Sequence, residues 1–241
     1  MPESSEPFRI REKLLILCEG KADANFLTSL LREREISGPQ CLAVDGQDNF
    51  GKKLVQILLA DGFEQLQGIL LLSDCGDDGE SKLNKLQNQI KAANRQLQKD
   101  GKDFQYPLPE VLSLPASGET GEQALTVQIS LVPDDDRAGS LESLCAEDLC
   151  AQYPGLRSCL EAYLECAEGV RAWSGTGPPT RAAEISDKVR YQCLSAVLHR
   201  DPNRPLSMEA EKPEILDMQA SCYDRLAEKL RKFAGTALGA T

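Results

Sequence analysis

Short apolar runs recur along the first half of the chain, and charged or turn-forming residues bound each of them. Continuous apolar runs of this length are typical of strands that are buried on both faces of a parallel sheet. The clearest examples are KLLILC and GILLL. The pattern predicts strands at Lys13–Cys18, Cys41–Val44, Gly68–Leu72, Val111–Leu114 and Thr126–Val132.

Segments with helical spacing of apolar residues fill the intervals between these runs. Helices are predicted at Ala22–Leu31, at Lys52–Leu59 and, with the clearest amphipathic pattern, at Leu83–Leu97. A loop is predicted at Ala116–Glu122, between the last two strands. Strands that alternate with helices indicate an α/β fold, in which a mainly parallel sheet carries helices on both faces.

From Ser140 onward the pattern is helical. Apolar residues between Leu141 and Leu149 share one face, and another helix is expected after Pro154. The rest is predicted as a Gly/Pro loop at Ser174–Pro179, a helix at about Arg181–Leu198, a Pro-rich connection at Asp201–Pro213 and a helix at Asp217–Phe233. We therefore expect an α/β core over residues 1–139 and a helical extension over residues 140–241, packed together as one compact unit.

Composition limits the class of protein. With 241 residues, 41% of them hydrophobic, the chain can bury a substantial core. A net charge of −11 opposes loose binding to a phosphate backbone, although a bound metal ion would invert the local field. No apolar run approaches a membrane span, and the polar stretch Met1–Pro7 does not resemble a signal peptide. Nine cysteines without a C-x-x-C pair indicate free thiols in a reducing cytoplasm rather than a zinc site.

Acidic residues follow three of the predicted strands. They are Glu19 after the first strand, Asp74, Asp77 and Asp78 after the third, and Asp134–Asp136 after the last, with Glu142 shortly beyond. Each acid taken alone fits ordinary turn or helix-cap chemistry. In an open parallel sheet, however, ligands bind at the carboxyl ends of the strands. Clustered carboxylates there repel one another unless a divalent cation holds them, and such hard ligands suit Mg²⁺ or Mn²⁺.

The segment LLILCEGKADANFLTSLL, Leu14–Leu31, resembles the opening of TOPRIM domains, the catalytic module of type IA topoisomerases, bacterial primases and OLD-type nucleases. That module has Glu-Gly after its first strand and Asp-x-Asp after its third. Glu19-Gly20 matches the first motif, and ILLLSDCGDDGE, Ile69–Glu80, resembles the second. Gly76 stands at the position of the second acid, and Asp77 follows one residue later.

The likeness continues in the second half of the chain. VPDDDRAGSLESL, Val132–Leu144, is similar to a Pro-Asp-Asn…Gly-x-Leu-Glu segment in an OLD-nuclease-like TOPRIM family of uncharacterised bacterial and archaeal proteins. In that family a Lys-containing helix follows, then a Pro-rich loop and a C-terminal helix. Here these resemble Asp187-Lys188-Val189, Asp201–Leu206 and Tyr223–Phe233.

The resemblance implies a phosphotransfer enzyme that depends on Mg²⁺ or Mn²⁺, and specifically a nuclease that acts on DNA or RNA. By carry-over, the roles fall to Glu19, Asp74 and Asp77 for catalysis and metal binding, Asp78 for metal binding, Asp134 and Glu142 for a second metal site, and Lys188 for a phosphate contact.

A second hypothesis is a catalytically weak or inactive module of the same type that binds a protein partner or a nucleotide. The replacement at Gly76 and the net charge favour this hypothesis, whereas the acids at separate strand ends favour the enzyme. Gly46–Lys53 nearly forms a P-loop, but Lys53 replaces the hydroxyl that binds Mg²⁺, and Asp48 would repel phosphate. We therefore expect a divalent cation and no organic cofactor.

Overall fold

A five-stranded sheet forms the centre of the protein. The computed structural model describes residues 9–120, 123–173, 187–199, 206 and 215–236. The strands are β1 Leu14–Cys18, β2 Pro39–Ala43, β3 Gly68–Asp74, β4 Ala116–Thr120 and β5 Gln123–Val132. Their order in space is β2-β1-β3-β5-β4, with β4 antiparallel to β5 and the other pairs parallel. The prediction of an α/β fold with a mainly parallel sheet is confirmed.

Seven α-helices lie within the described ranges: α1 Lys21–Glu33, α2 Phe50–Leu58, α3 Gly79–Lys99, α4 Leu141–Gln152, α5 Pro154–Trp173, α6 Asp187–His199 and α7 Asp224–Thr236. Short 3-10 turns occupy Phe63–Gln65 and Ser221–Tyr223. Within these same ranges, no helix combines the length and the apolar character that crossing a membrane requires.

The sheet separates two hydrophobic cores. Leu15 and Leu17 of β1 belong to the core that α2 and α3 cover. Leu14 and Ile16 belong to the opposite core, which α1, α4, α6 and α7 cover. Because successive side chains of a strand point to opposite faces, a strand that serves both cores must be apolar throughout, as β1 is.

One strand prediction is wrong, and one strand lies in a predicted loop. Val111–Leu114 forms a turn instead of a strand, with a φ of 57° at Ser113, and the apolar side chains at its two ends are more than half exposed. The edge strand β4 lies inside Ala116–Glu122, which was predicted as a loop. Its polar sequence carries no strand pattern, and pairing with β5 along one edge makes it a strand.

The other elements are shifted by a few residues from their predicted bounds. The last helix begins at Asp224 instead of Asp217, because residues 217–220 form a turn in which the Ala220 N–H donates to the Asp217 carbonyl. Three predictions fall wholly or partly outside the described residues, namely the loop Ser174–Pro179, the connection Asp201–Pro213 except for Leu206, and the first six residues of the helix Arg181–Leu198.

A buried carboxylate links α4 to the segment that precedes α7. Asp148 is fully buried and accepts hydrogen bonds from the Asp217 N–H at 2.8 Å, the Gln152 amide at 2.9 Å and the Tyr223 hydroxyl at 3.2 Å. A buried carboxyl group is tolerated only when its oxygens are satisfied in this way. The C-terminal helix is therefore attached to the α4 layer by polar contacts as well as by the shared core.

Replacing Asp148 by Ala should lower the free energy of unfolding by about 2–3 kcal/mol, because it leaves buried donors without an acceptor. Asp148→Asn keeps the shape and one acceptor oxygen, so its cost should be smaller. Urea denaturation followed by circular dichroism measures both variants. The control is Asp103→Ala at an exposed position, and an equal loss of stability there would contradict the role of Asp148.

All nine cysteines are free thiols. Cys159 and Cys166 are exposed on α5, whereas Cys145 is completely buried on the inner face of α4. Burial also raises the pKa of Cys145 well above its ordinary value, which keeps this sulfur in the unreactive thiol form.

A reductant should leave the melting temperature unchanged, because no disulfide stabilises the fold. Brief native labelling with a thiol reagent, followed by peptide mass spectrometry, should modify Cys159 and Cys166 before Cys145. Early modification of Cys145, or a large drop in melting temperature with reductant, would disprove this arrangement of thiols.

Candidate functional site

A pocket lies where the carboxyl ends of β1 and β3 meet. The two strands pair in parallel from Leu14 with Gly68 to Leu17 with Leu71, so the residues that follow them are neighbours. The residues that line the pocket are Cys18, Glu19, Asp23, Leu27, Leu72, Ser73, Asp74, Val132 and Leu141. The structure therefore brings Glu19 and Asp74 together, in a pocket whose remaining wall is mostly apolar.

Glu19 is held by two groups from neighbouring elements. Its Oε1 accepts a hydrogen bond from the Ser73 hydroxyl at the end of β3, and the same oxygen lies 3.1 Å from the Lys82 Nζ on α3. The Glu19 side chain is 22% exposed. The carboxylate is thus fixed in place but still reachable from solvent.

Asp74 is the most strongly perturbed carboxyl group in the pocket. Its Oδ1 accepts a hydrogen bond from the Leu141 N–H at 3.0 Å, at the first residue of α4. Burial raises the pKa of Asp74 to about 8, and the negative charges of Glu142 and Glu19 add to the rise, which the Leu141 N–H only partly opposes. Without a cation, Asp74 therefore holds its proton at neutral pH.

Asp23 is a site residue that the sequence motifs did not single out. It lies in the first turn of α1, lines the pocket, and its Oδ2 accepts the Gly20 N–H at 2.8 Å. Burial raises the pKa of Asp23 to about 6, against the Gly20 hydrogen bond, and Glu142 and Glu19 raise it further. Its position in the first turn of the helix that follows Glu19-Gly20 is the signal in the sequence that could have identified it.

The two candidates for a second metal site lie in different environments. Glu142 raises the pKa of both Asp23 and Asp74, so its charge acts on the pocket. Asp134 instead lies 2.6 Å from the Arg225 guanidinium and 2.8 Å from the Lys229 ammonium, both on α7. Burial alone would raise the pKa of Asp134, but these hydrogen bonds outweigh it and lower the pKa to about 2. Asp134 is therefore already neutralised by cationic side chains.

Asp77 and Asp78 do not line the pocket. Asp78 caps α3, where its Oδ1 accepts the N–H groups of Glu80 at 3.0 Å and Ser81 at 3.3 Å. Asp77 is exposed on the loop that precedes this cap. Of the four acids that the motifs predicted for metal binding, Glu19 and Asp74 share the pocket while Asp77 and Asp78 lie beside it.

Lys188 lies near enough to the pocket for its charge to lower the pKa of Asp23. It is exposed in the first turn of α6, so it is available to a ligand.

In the P-loop-like segment Gly46–Lys53, groups that would face a bound phosphate contact other residues of the protein. The Gly51 N–H at the start of α2 donates to the Gln89 side chain, and Asp48 lies 2.8 Å from Lys85.

Carboxylate oxygens of this kind suit Mg²⁺ or Mn²⁺. Among the residues that the structure describes, no three Asp, Glu, His or Cys side chains stand in ligand geometry. Mg²⁺, however, usually keeps several waters and needs only one or two carboxylates. Glu19 and Asp74 can supply these. Burial raises the pKa of Asp74 first and the charges of Glu142 and Glu19 add to the rise, and a cation would offset both effects. The donor set therefore fits a largely hydrated divalent cation.

The chain matches one protein family over most of its length. The model of that family, described as a protein of unknown function (DUF3226), matches residues 13–235. The C-terminal region of the OLD protein of Xanthomonas campestris pv. campestris, phased with mercury, is similar with a TM-score of 0.42 and 13% identity, over 94% of this chain and 98% of that chain. The same region phased with platinum gives a TM-score of 0.40 at 13% identity, over 94% and 96%. No curated protein matches.

In the absence of divalent cations, the protein should lose stability as the pH rises from about 4 to about 8. An unfolded Asp74 releases its proton near pH 4, whereas the folded protein keeps it up to about pH 8. Between these values the folded state binds more protons, so raising the pH favours unfolding. In melting curves recorded in a chelator at several pH values, the melting temperature of Asp74→Asn should depend less on pH than that of the wild type. The exposed control Asp103→Asn should show the same change of melting temperature with pH as the wild type. The same change in Asp74→Asn would refute the raised pKa of Asp74.

Proposed function

The chain belongs to the DUF3226 family of proteins of unknown function, and we propose that it is a TOPRIM-like phosphotransfer enzyme that uses Mg²⁺ or Mn²⁺ to cleave DNA or RNA. The observation that carries this proposal is the meeting of Glu19 and Asp74 in one pocket at adjacent strand ends. The TOPRIM resemblance of the flanking segments points to the same pair. The sheet edge is also the place where open parallel sheets bind ligands.

Glu19 and Asp74 are the residues that would hold the cation, with Asp23 beside them in the pocket. When bound, the cation neutralises charge on a phosphate group and orients it for attack. Because Asp74 has a pKa of about 8, it must release a proton to become a strong ligand. We therefore expect binding to be weak near neutral pH and to tighten as the pH rises.

The protein's own groups can position the reaction and move a proton. Ser73 and Lys82 orient Glu19, and the Leu141 N–H orients Asp74. Asp23, with a pKa of about 6, can hold or release a proton at neutral pH, as a general acid or base must. Such a group contributes best when its pKa lies near the working pH.

Cationic side chains close to the pocket supply attraction for a phosphate backbone. Lys188 acts electrostatically on Asp23, and Lys21 is exposed directly after Gly20. These charges are local, whereas the net charge of −11 is spread over the whole chain. Local positive charge beside the site makes a polyanionic substrate compatible with an acidic protein.

The second candidate function is a binding module with weak or no catalysis, which recognises a protein partner or a nucleotide. The observation in its favour is the position of Asp77, which is exposed and outside the pocket. If TOPRIM catalysis needs a second acid from this loop, the present arrangement lacks it. The two functions differ in whether the chain cleaves nucleic acid at all.

Cleavage of a panel of single- and double-stranded DNA and RNA in Mn²⁺ tests the enzyme. We expect cleavage that a chelator abolishes, and a loss of about 100-fold or more in Glu19→Gln and in Asp74→Asn, since each loses a charged ligand. Asp103→Asn, an isosteric change at an exposed position away from the pocket, serves as the control.

Asp77→Asn decides which acids form the site. If Asp77→Asn keeps wild-type activity, the acids that act in catalysis are Glu19, Asp74 and Asp23. If its activity falls as far as that of Asp74→Asn, the loop must rearrange to bring Asp77 into the pocket. No cleavage of any substrate, together with wild-type Mn²⁺ binding in Asp74→Asn, would reject the enzyme and leave the binding module.

A further inference from the structure

Lys82 makes the ion pair closest to the proposed reaction centre. Its Nζ lies 3.1 Å from the Glu19 Oε1 and 3.5 Å from the Gln47 Oε1. The Lys82 side chain is 15% exposed and that of Glu19 is 22% exposed, so solvent screens this pair less than a surface pair. Three segments meet at this one ammonium group: α3, the turn after β1 and the turn before α2.

The position of Lys82 in its helix does not explain its presence. It is the fourth residue of α3, near the end of the helix where the macrodipole favours negative charge. Glu80, two residues earlier, and the cap Asp78 follow that preference, but Lys82 opposes it. The contact with Glu19 offsets the unfavourable interaction between the Lys82 charge and the helix dipole.

The ammonium group also balances negative charge in and around the pocket. The charges of Glu19 and Glu142 act on both Asp23 and Asp74, and the charge of Asp23 acts on Asp74. Among the ion pairs formed by the described residues, Lys82 with Glu19 is the one that includes a member of this group. A divalent cation bound at Glu19 would provide the same compensation, so the two positive charges compete for one carboxylate.

We infer that Lys82 is a built-in counter-ion that holds Glu19 in the metal-free protein and yields it when the divalent cation binds, so that Lys82 sets the metal affinity of the site. This rests on the proposed function, because it requires a cation at Glu19. The flexible lysine stem permits the displacement, and Gln47 offers a second acceptor next to its present position.

The test is Mn²⁺ affinity, measured by calorimetric titration on the intact chain. Lys82→Met should bind Mn²⁺ about tenfold more tightly than wild type, because a competing positive charge is gone. It should also melt at a lower temperature in a chelator and gain more from Mn²⁺ than wild type does. Lys82→Arg, which keeps the charge, should bind Mn²⁺ much as wild type does.

Lys85→Met is the matched control. It removes the same charge from the same helix, but Lys85 pairs with Asp48 at the surface, so its Mn²⁺ affinity should stay within about twofold of wild type. Lys82→Gln replaces Lys82→Met if the apolar side chain prevents folding. If Lys82 has only a structural role, removing it should leave the Mn²⁺ affinity unchanged or lower it.

The two proposals fail in distinguishable ways. If wild type binds Mn²⁺ and Glu19→Gln abolishes binding, but Lys82→Met and Lys82→Gln bind no more tightly, the counter-ion role is overturned while the metal site stands. If wild type binds no Mn²⁺, or if Glu19→Gln binds it unchanged, the site at Glu19 and the inference about Lys82 fall together.

Discussion

The parallel pairing of β1 with β3 is the constraint on which the rest of the site depends. It brings the carboxyl ends of two buried strands side by side, with Glu19 directly after β1 and Asp74 as the last residue of β3. The hydrophobic cores on both faces fix the strands, so the backbone positions that carry the two carboxyl groups cannot move apart. Burial raises the pKa of Asp74, and the negative charges of Glu142 and Glu19 raise it further.

The helices after Ser140 complete the site as well as the core. The first residue of α4 donates its N–H to Asp74, Glu142 adds negative charge to the pocket, and Lys188 on α6 adds positive charge. The same helices bury the β1 face that α1 alone does not cover. The pocket is therefore built from both the α/β core and the helices that follow it, and a truncation before α4 would remove part of each.

The parallel strands β1, β2, β3 and β5 and the pair of Glu19 and Asp74 could be predicted from sequence, because they follow from short-range patterns and one rule of sheet topology. The edge strand β4 could not, because its sequence carries no strand pattern. The positions of Asp134 and Lys82 could not. Asp134 lies just beyond the end of β5, as Asp74 lies at the end of β3, yet it pairs with Arg225, which is 91 residues further along the chain. Lys82 on α3 contacts Glu19, which lies 63 residues earlier in the chain. Such contacts depend on how helices dock, which local periodicity does not encode.

Gly76 stands where the TOPRIM pattern has an acid, and its backbone holds the loop after β3 in place. Gly76 has a φ of 64°, in the left-handed region that favours glycine. Its backbone exchanges two hydrogen bonds with Gly139, just before α4. This contact holds the loop after β3 against the start of α4, where the Leu141 N–H meets Asp74. A residue that supplies a carboxylate in the TOPRIM pattern here positions α4, and with it Glu142, while Asp23 supplies a further carboxylate from α1.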